Sequence, residues 1–303
     1  MKLLKLPYLV QKEILNHLNF TNIFFLSLCS KKTKNCIMEA QKNRFKTLER
    51  ITYNLRSPEA NSNQFYDRME PGDEESIYPA IHNNLYDLFG DHISLWLQTS
   101  DATKLPVLKG IRVLEILSKR LENYYIEPKK IDEYLSACVN LQCFHWLAYA
   151  CTQLKLREDS RIHQIDYVTI WESGSLCCQI LKRFNGRQAF LDSRNVRPVD
   201  IVQFLKSWQS GEKFEKLEVM SIEHFPLNLH EFFELKQIKR QIIYPIVKKF
   251  KSVLPFRNNR NIRSRFYIVR ESDRHVASVL SNEYNTTLGV WNMTEKEFLK
   301  KFQ

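Results

Sequence analysis

Cysteine and histidine are the residues of this sequence whose types could support metal binding or nucleophilic catalysis. The candidates are Cys143, His145, Cys151, His163, Cys177 and Cys178. Structural zinc sites normally need paired Cys-x-x-Cys spacing, which is absent from the sequence. A catalytic Cys can meet a distant His in the fold, but no GxSxG or HExxH motif supports an enzyme. We therefore expect no catalytic centre, no metal and no cofactor, and we interpret the cysteines as reduced, buried thiols.

Positive charge is concentrated near the C-terminus. The stretch 235–270 contains 11 Lys or Arg and no acidic residue, in a chain whose net charge is +11. Aromatic residues alternate with these cations, so one alternative function is nucleic-acid binding by phosphate neutralisation and base stacking. A second interpretation is a groove for an acidic or phosphorylated protein, and a third is a solvated basic face. The candidate anion-binding residues are Lys248, Lys249, Lys251, Arg257, Arg260, Arg263 and Arg265.

Length and composition limit the class of protein. With 303 residues, 44% of them hydrophobic and 26% charged, the chain has the composition of a soluble globular protein of about two domains. Seven glycines and the absence of GxGxxG or GxxxxGK[ST] argue against a nucleotide-binding loop. No apolar run reaches membrane-spanning length, and the start lacks the apolar core of a signal peptide. We expect a cytoplasmic or nuclear location and no membrane partner.

Three short helices are predicted in residues 1–46. Their predicted apolar faces are Val10, Ile14, Leu15 and Leu18, then Ile23, Leu26 and Cys29, then Cys36, Ile37 and Ala40. Phe24, Phe25 and Leu28 are surplus to these faces. Surplus apolar surface on so small a unit is typical of a partner interface. The alternative is a helical hairpin that packs on the rest of the same chain.

The remaining sequence suggests a linker followed by a mixed domain. Pro, Gly, Asn and Ser residues punctuate the stretch that follows residue 46, so we predict a linker over 47–77 and a second domain over 78–303. Within that domain, 105–121 has helical spacing. Four strand-like runs then begin at 141, 165, 188 and 217, separated by helical patterns over 175–184 and 199–208. The starts of these runs are 24, 23 and 29 residues apart. A strand–helix unit of that length is typical of leucine-rich repeats.

The C-terminal 40 residues change to an antiparallel pattern. Strands are predicted over 265–270, 276–280 and 288–291, with turn residues between the first two. Thr294 can cap a final helix that reaches Phe302, with Glu297 at the capping-box position.

The N-terminal motif resembles the F-box. The residues that carry the resemblance are Leu6-Pro7, the pair Ile14-Leu15, and the run Leu26-Ser-Leu-Cys-Ser-Lys-Lys32. The resemblance implies that this segment binds the Skp adaptor of a cullin–RING ubiquitin ligase. The adaptor-facing positions that it implies are Leu6, Pro7, Val10, Ile14, Leu15, Leu18, Leu26 and Cys29.

A second resemblance lies further along the chain. Residues 199–211 and 216–222, together with Phe266-Tyr-Ile-Val-Arg270, are similar to the type 2 F-box-associated domain of nematode F-box families, with a core at about 160–230. The resemblance implies that this domain holds a protein substrate close to the ligase, so that catalysis is by proximity.

Together these observations predict an α+β fold. A three-helix F-box should precede a degenerate leucine-rich-repeat-like α/β domain with a small C-terminal antiparallel sheet. The predicted function is that of a substrate-recruiting subunit of a Skp–cullin–F-box ligase.

Overall fold

A computed structural model describes residues 3–55, 74–100, 105–117, 128–147, 156–193, 195–224, 239–240, 246–250, 260–282 and 284–302. The three predicted N-terminal helices are confirmed as α1 (Tyr8–His17), α2 (Phe20–Leu28) and α3 (Lys31–Phe45), after a 3-10 turn at Leu3–Lys5. Asn19 Oδ1 accepts the backbone N–H of Asn22 at 2.8 Å, and Ser30 Oγ accepts that of Thr33 at 3.1 Å. Each cap satisfies a donor that the first helical turn leaves free, which fixes where α2 and α3 begin.

Seven parallel strands follow one another across the sheet in chain order. They are β1 (Arg50–Leu55), β2 (Ser94–Thr99), β3 (Ile111–Leu117), β4 (Cys143–Leu147), β5 (Tyr167–Trp171), β6 (Gln188–Ser193) and β7 (Val219–His224). The four strand-like runs predicted from residue 141 onward are confirmed as β4 to β7. Each neighbouring pair in this series is parallel.

Strand β3 corrects the helix that was predicted over 105–121. Residues 111–117 pair with β2 on one side and with β4 on the other. Leu114 and Ile116 are buried on one face of the sheet and Val113 is buried on the other. A strand that is buried on both faces has no polar alternation, so its apolar residues fell by chance at helical spacing.

The helices of the second region are α4 (Glu74–Phe89), α5 (Pro128–Ala137), α6 (Gly174–Arg183), α7 (Pro198–Ser210) and α8 (Glu295–Phe302). The helices predicted over 175–184 and 199–208 are confirmed as α6 and α7. The capping box of α8 is also confirmed, because Thr294 N–H donates to Glu297 Oε2 at 2.7 Å while Thr294 Oγ1 accepts from Glu297 N at 3.4 Å. Among the helices in the described ranges, none has the length and apolar character needed to cross a membrane.

The C-terminal strands extend the parallel sheet. They are β8 (Lys239–Arg240), β9 (Ile246–Phe250), β10 (Arg260–Ser264), β11 (Phe266–Val269), β12 (His275–Ser281) and β13 (Asn285–Thr294). The three strands predicted over 265–270, 276–280 and 288–291 are confirmed as β11, β12 and β13, and each pairs with its neighbour in antiparallel register. They extend the large sheet in the order β7–β13–β12–β11–β8, and so they do not form a sheet of their own. Strand β13 pairs with β7 in antiparallel register, and Leu288 and Val290 join the same core as the parallel strands. Strands β9 and β10 form a separate antiparallel pair.

The N-terminal helices share this core. Leu15, Ile23 and Ile37 are fully buried, in one apolar cluster with the sheet residues. The ring centroids of Phe45 on α3 and Phe89 on α4 are 4.8 Å apart, in an edge-to-face arrangement. Part of the predicted linker, 50–55, is strand β1, which pairs with β2. The helices are therefore packed against the sheet and joined to it by an edge strand.

A buried histidine holds α4 to the sheet. His82 is 1% exposed, and its ring accepts from Tyr53 Oη at Nδ1 over 2.9 Å and donates from Nε2 to the Lys109 carbonyl over 2.7 Å. Both bonds are made by the neutral ring. Burial lowers the pKa of His82 below its ordinary value, although the bond to the Lys109 carbonyl opposes this effect. His163 is also buried, and burial likewise lowers its pKa.

Stability should therefore fall in mild acid. A histidine whose folded-state pKa is lowered takes up its proton more readily when unfolded, so stability is lost as pH falls below about 6.5. We expect the urea midpoint of the native chain to be lower at pH 5 than at pH 7.5, and the difference to shrink in His82→Gln. Tyr53→Phe should lower the midpoint more at pH 7.5 than at pH 5, because only the neutral ring accepts the hydroxyl. Equal midpoints of the native chain at both pH values would contradict this assignment.

Candidate functional site

The helices α1 to α3 carry an unusual amount of exposed apolar surface. Of the 13 large apolar side chains that are exposed in the described residues, seven belong to the first 38 positions. We call this set the N-terminal apolar surface, and its members are Leu4, Tyr8, Leu9, Val10, Phe25, Leu28 and Met38. Exposed apolar groups clustered on so few residues are typical of a protein-binding surface.

Helix α2 shows how the sequence positions this surface. Ile23 and Ser27, four positions apart, are buried against the core, and Ser27 Oγ donates to the Phe24 carbonyl at 2.6 Å. Phe25 and Leu28, three positions apart, are 58% and 46% exposed. Residues three or four apart lie on one helix face, so burial of one face presents the other to solvent.

The predicted adaptor-facing residues have different environments. Leu15 is fully enclosed by the chain itself, unlike the other seven residues of the set. Its assignment to the partner interface was implied by the F-box resemblance, which does not distinguish the core side of α1 from the solvent side. Of the others, Pro7, Val10 and Cys29 are exposed, while Leu6, Ile14, Leu18 and Leu26 are half-buried. Cys29 therefore does not belong to the buried face of α2.

The three-helix unit is strongly basic. Residues 1–46 contain nine Lys or Arg and two Glu. One of the cations has an internal role, because Arg44 donates to the Leu15 carbonyl at 3.1 Å and lies over the Phe20 ring. Lys12, Lys31, Lys32 and Lys42 are exposed. A partner that covers this unit should therefore present acidic groups around apolar side chains.

Five of the seven predicted anion-binding residues are within the described residues, on or beside the antiparallel strand pair β9–β10. Lys248, Lys249 and Arg260 belong to β9 and β10, where Lys249 is opposite Asn261 and Arg260 is opposite Phe250. Arg263 and Arg265 are exposed. Lys251 and Arg257 are outside the described residues.

A polar row crosses the sheet on the face opposite the main core, and the sequence analysis missed it. The register aligns Gln98, Glu115, His145 and Thr169 on β2 to β5. Gln98 Nε2 donates to Glu115 Oε2 at 2.5 Å, and His145 Nδ1 is 3.0 Å from Glu115 Oε1. The available signal was a polar residue within each of four mostly apolar strands. Because Glu115 and His145 are almost fully buried, the row is interior and not an open binding surface.

The cysteines have the environment of structural thiols in most cases. Cys138, Cys143 and Cys177 are buried, Cys36 and Cys178 are half-buried, Cys29 is exposed, and Cys151 is outside the described residues. Burial raises the pKa of Cys143 and of Cys177 to about 12. These two thiols stay protonated at neutral pH, whereas the thiolate is the nucleophile and the metal ligand. In the parts of the chain that the structure describes, no group of three or more His, Cys, Asp or Glu could hold a metal ion.

Comparison with known proteins identifies the N-terminal unit. The family model of the F-box domain matches residues 3–44, which span α1, α2 and almost all of α3. The chain therefore contains an F-box domain, the module with which substrate-recognition subunits of Skp–cullin–F-box ligases bind the Skp adaptor. No curated protein and no solved structure matches the chain significantly.

Proposed function

We propose that this protein recruits a substrate to a Skp–cullin–F-box ubiquitin ligase. The observation that carries the proposal is the F-box domain at residues 3–44, together with the apolar surface that it exposes. In this role Phe25, Leu28 and their exposed neighbours contact the Skp adaptor, and burial of that apolar surface drives binding. Of the residues implied by the F-box resemblance, the exposed Pro7, Val10 and Cys29 and the half-buried Leu6, Ile14, Leu18 and Leu26 remain candidates.

We also propose that the sheet region is the substrate-binding module and is similar to leucine-rich repeats. Seven parallel strands that follow chain order, with helices between most of them, support this interpretation. So does the position of α6, β6, α7 and β7 within the core at about 160–230 that resembles the nematode type 2 F-box-associated domain. The exposed Arg263 and Arg265 provide positive charge for an acidic or phosphorylated substrate.

The proposed role requires no chemistry by this chain. Holding a substrate near a charged ubiquitin-conjugating enzyme raises the effective concentration of its lysines, and this accelerates transfer. The raised pKa values of Cys143 and Cys177 agree with a non-enzymatic role. We propose a cytoplasmic or nuclear location, where Skp–cullin–F-box ligases act.

The test is affinity purification of the full-length chain followed by mass spectrometry. Deleting residues 1–45 is unsuitable as a control, because Leu15, Ile23 and Phe45 belong to the shared core. Phe25→Asp changes an exposed side chain instead, and it should lose the Skp adaptor and the cullin. Proteins that both chains retain, and that accumulate when cullin activity is blocked, are the substrates. Failure of the native chain to recover a Skp adaptor would reject the proposed function.

A further inference from the structure

A groove lies between the α2–α3 corner of the F-box domain and helix α4 of the sheet region. Its volume is about 620 Å³. Leu28 and Met38 line it from the F-box domain, and Asn84 and Asp87 line it from α4. Leu28 and Met38 also belong to the N-terminal apolar surface, so that surface continues into the groove. The groove therefore joins the N-terminal apolar surface to two polar side chains of α4, which lie outside the residues 3–44 that the F-box domain matches.

The groove is held open by contacts within the chain. Lys34 Nζ on α3 is 3.1 Å from Asp87 Oδ2 on α4 and 3.5 Å from Asn84 Oδ1. Phe89, at the end of α4, packs edge-to-face against Phe45 and Phe20. A partner thus meets a preformed groove and does not have to order either wall on binding.

We propose that the Skp adaptor extends from the F-box domain across this groove and contacts α4 of the sheet region. The segment that occupies the groove carries acidic groups beside apolar side chains. Leu28 and Met38 supply the apolar contact, and Lys31 supplies an exposed cation at the groove. A second copy of this unit is a poor occupant, because it would bring nine further cations against the nine already present. The inference rests on the proposed function and adds a contact outside the F-box domain.

The decisive variant is Asn84→Glu in the full-length chain. It places a negative charge on the α4 wall, and the new carboxylate can still pair with Lys34, so the fold is preserved. We expect binding of purified Skp adaptor, measured by titration calorimetry, to weaken about tenfold because like charges meet in the groove.

The matched control is Asn83→Glu. Asn83 is the preceding residue of α4, is exposed and does not line the groove. The Asn83→Glu variant has the same change in net charge as Asn84→Glu, and its affinity for the Skp adaptor should stay within about twofold of the native value. If the native chain and Asn84→Glu bind equally tightly, the contact with α4 is wrong while the proposed function stands. If the native chain binds no Skp adaptor, the proposed function fails, and this inference fails with it.

Discussion

Leu28→Asp in the full-length chain should weaken Skp adaptor binding by roughly 100-fold, or about 2.7 kcal/mol. Leu28 is 46% exposed, one turn after Phe25 on α2, and it also lines the groove beside α4. A carboxylate at this position would be buried against the apolar side chains of the partner without a compensating charge. The fold should be unaffected, because the substituted side chain already faces solvent. Titration calorimetry with the purified adaptor measures the effect.

Asn43→Asp is the matched control for that charge. Asn43 is exposed near the end of α3, in the same helical unit, and is not part of the N-terminal apolar surface. The affinity of the Asn43→Asp variant for the Skp adaptor should be within about twofold of the native value. Native affinity in Leu28→Asp would show that α2 does not face the adaptor.

Phe45→Ala should lower the free energy of unfolding by about 3–5 kcal/mol. The Phe45 side chain is 5% exposed, and its ring contacts those of Phe20 and Phe89. Its removal leaves a cavity at the junction between the F-box domain and the sheet. Because the F-box domain and the sheet share one core, the loss of stability should appear in both of them. All five tryptophans lie outside the F-box domain, so their fluorescence reports on the sheet.

Two probes of urea unfolding check this result. A dye on the exposed Cys29 reports on the F-box domain, and tryptophan fluorescence reports on the sheet. Both midpoints should fall together in Phe45→Ala. The exposed Phe25→Ala should change stability by less than about 0.5 kcal/mol. A shift confined to the dye signal would mean that the F-box domain unfolds independently.

The sequence contained the information needed for the helices and for most of the parallel strands. Ile23 and Ile37 were placed in the core by their spacing, and Phe25 and Leu28 were recognised as surplus because α2 has more apolar residues than one face can bury. The full burial of Leu15 was not predictable, because an apolar stripe does not reveal whether the chain itself or a partner covers it. That distinction depends on the packing of α1 against α3, a contact between residues far apart in the sequence.

The errors in the sheet have a related cause. Residues 50–55 look like a linker because β1 is an edge strand with only half of its side chains partly buried. Residues 111–117 look helical because β3 is covered on both faces. The C-terminal strands appeared to form their own sheet because nothing local indicates that β13 pairs with β7, about 70 residues earlier in the chain. The local sequence pattern identifies a helix or strand, whereas the elements that pair or pack with it are decided by the whole core.

Because the parallel strands follow chain order, their number sets the distance between the two ends of the sheet. The F-box domain is packed at the β1–β2 end, and the antiparallel strands finish the opposite end. Adding or removing one strand–helix unit in the middle would move the far end by about 4.8 Å, the spacing between neighbouring strands. Neither terminal structure would need to change. Insertion and loss of such units could therefore tune the reach of the protein in fixed increments while its anchoring end stays the same.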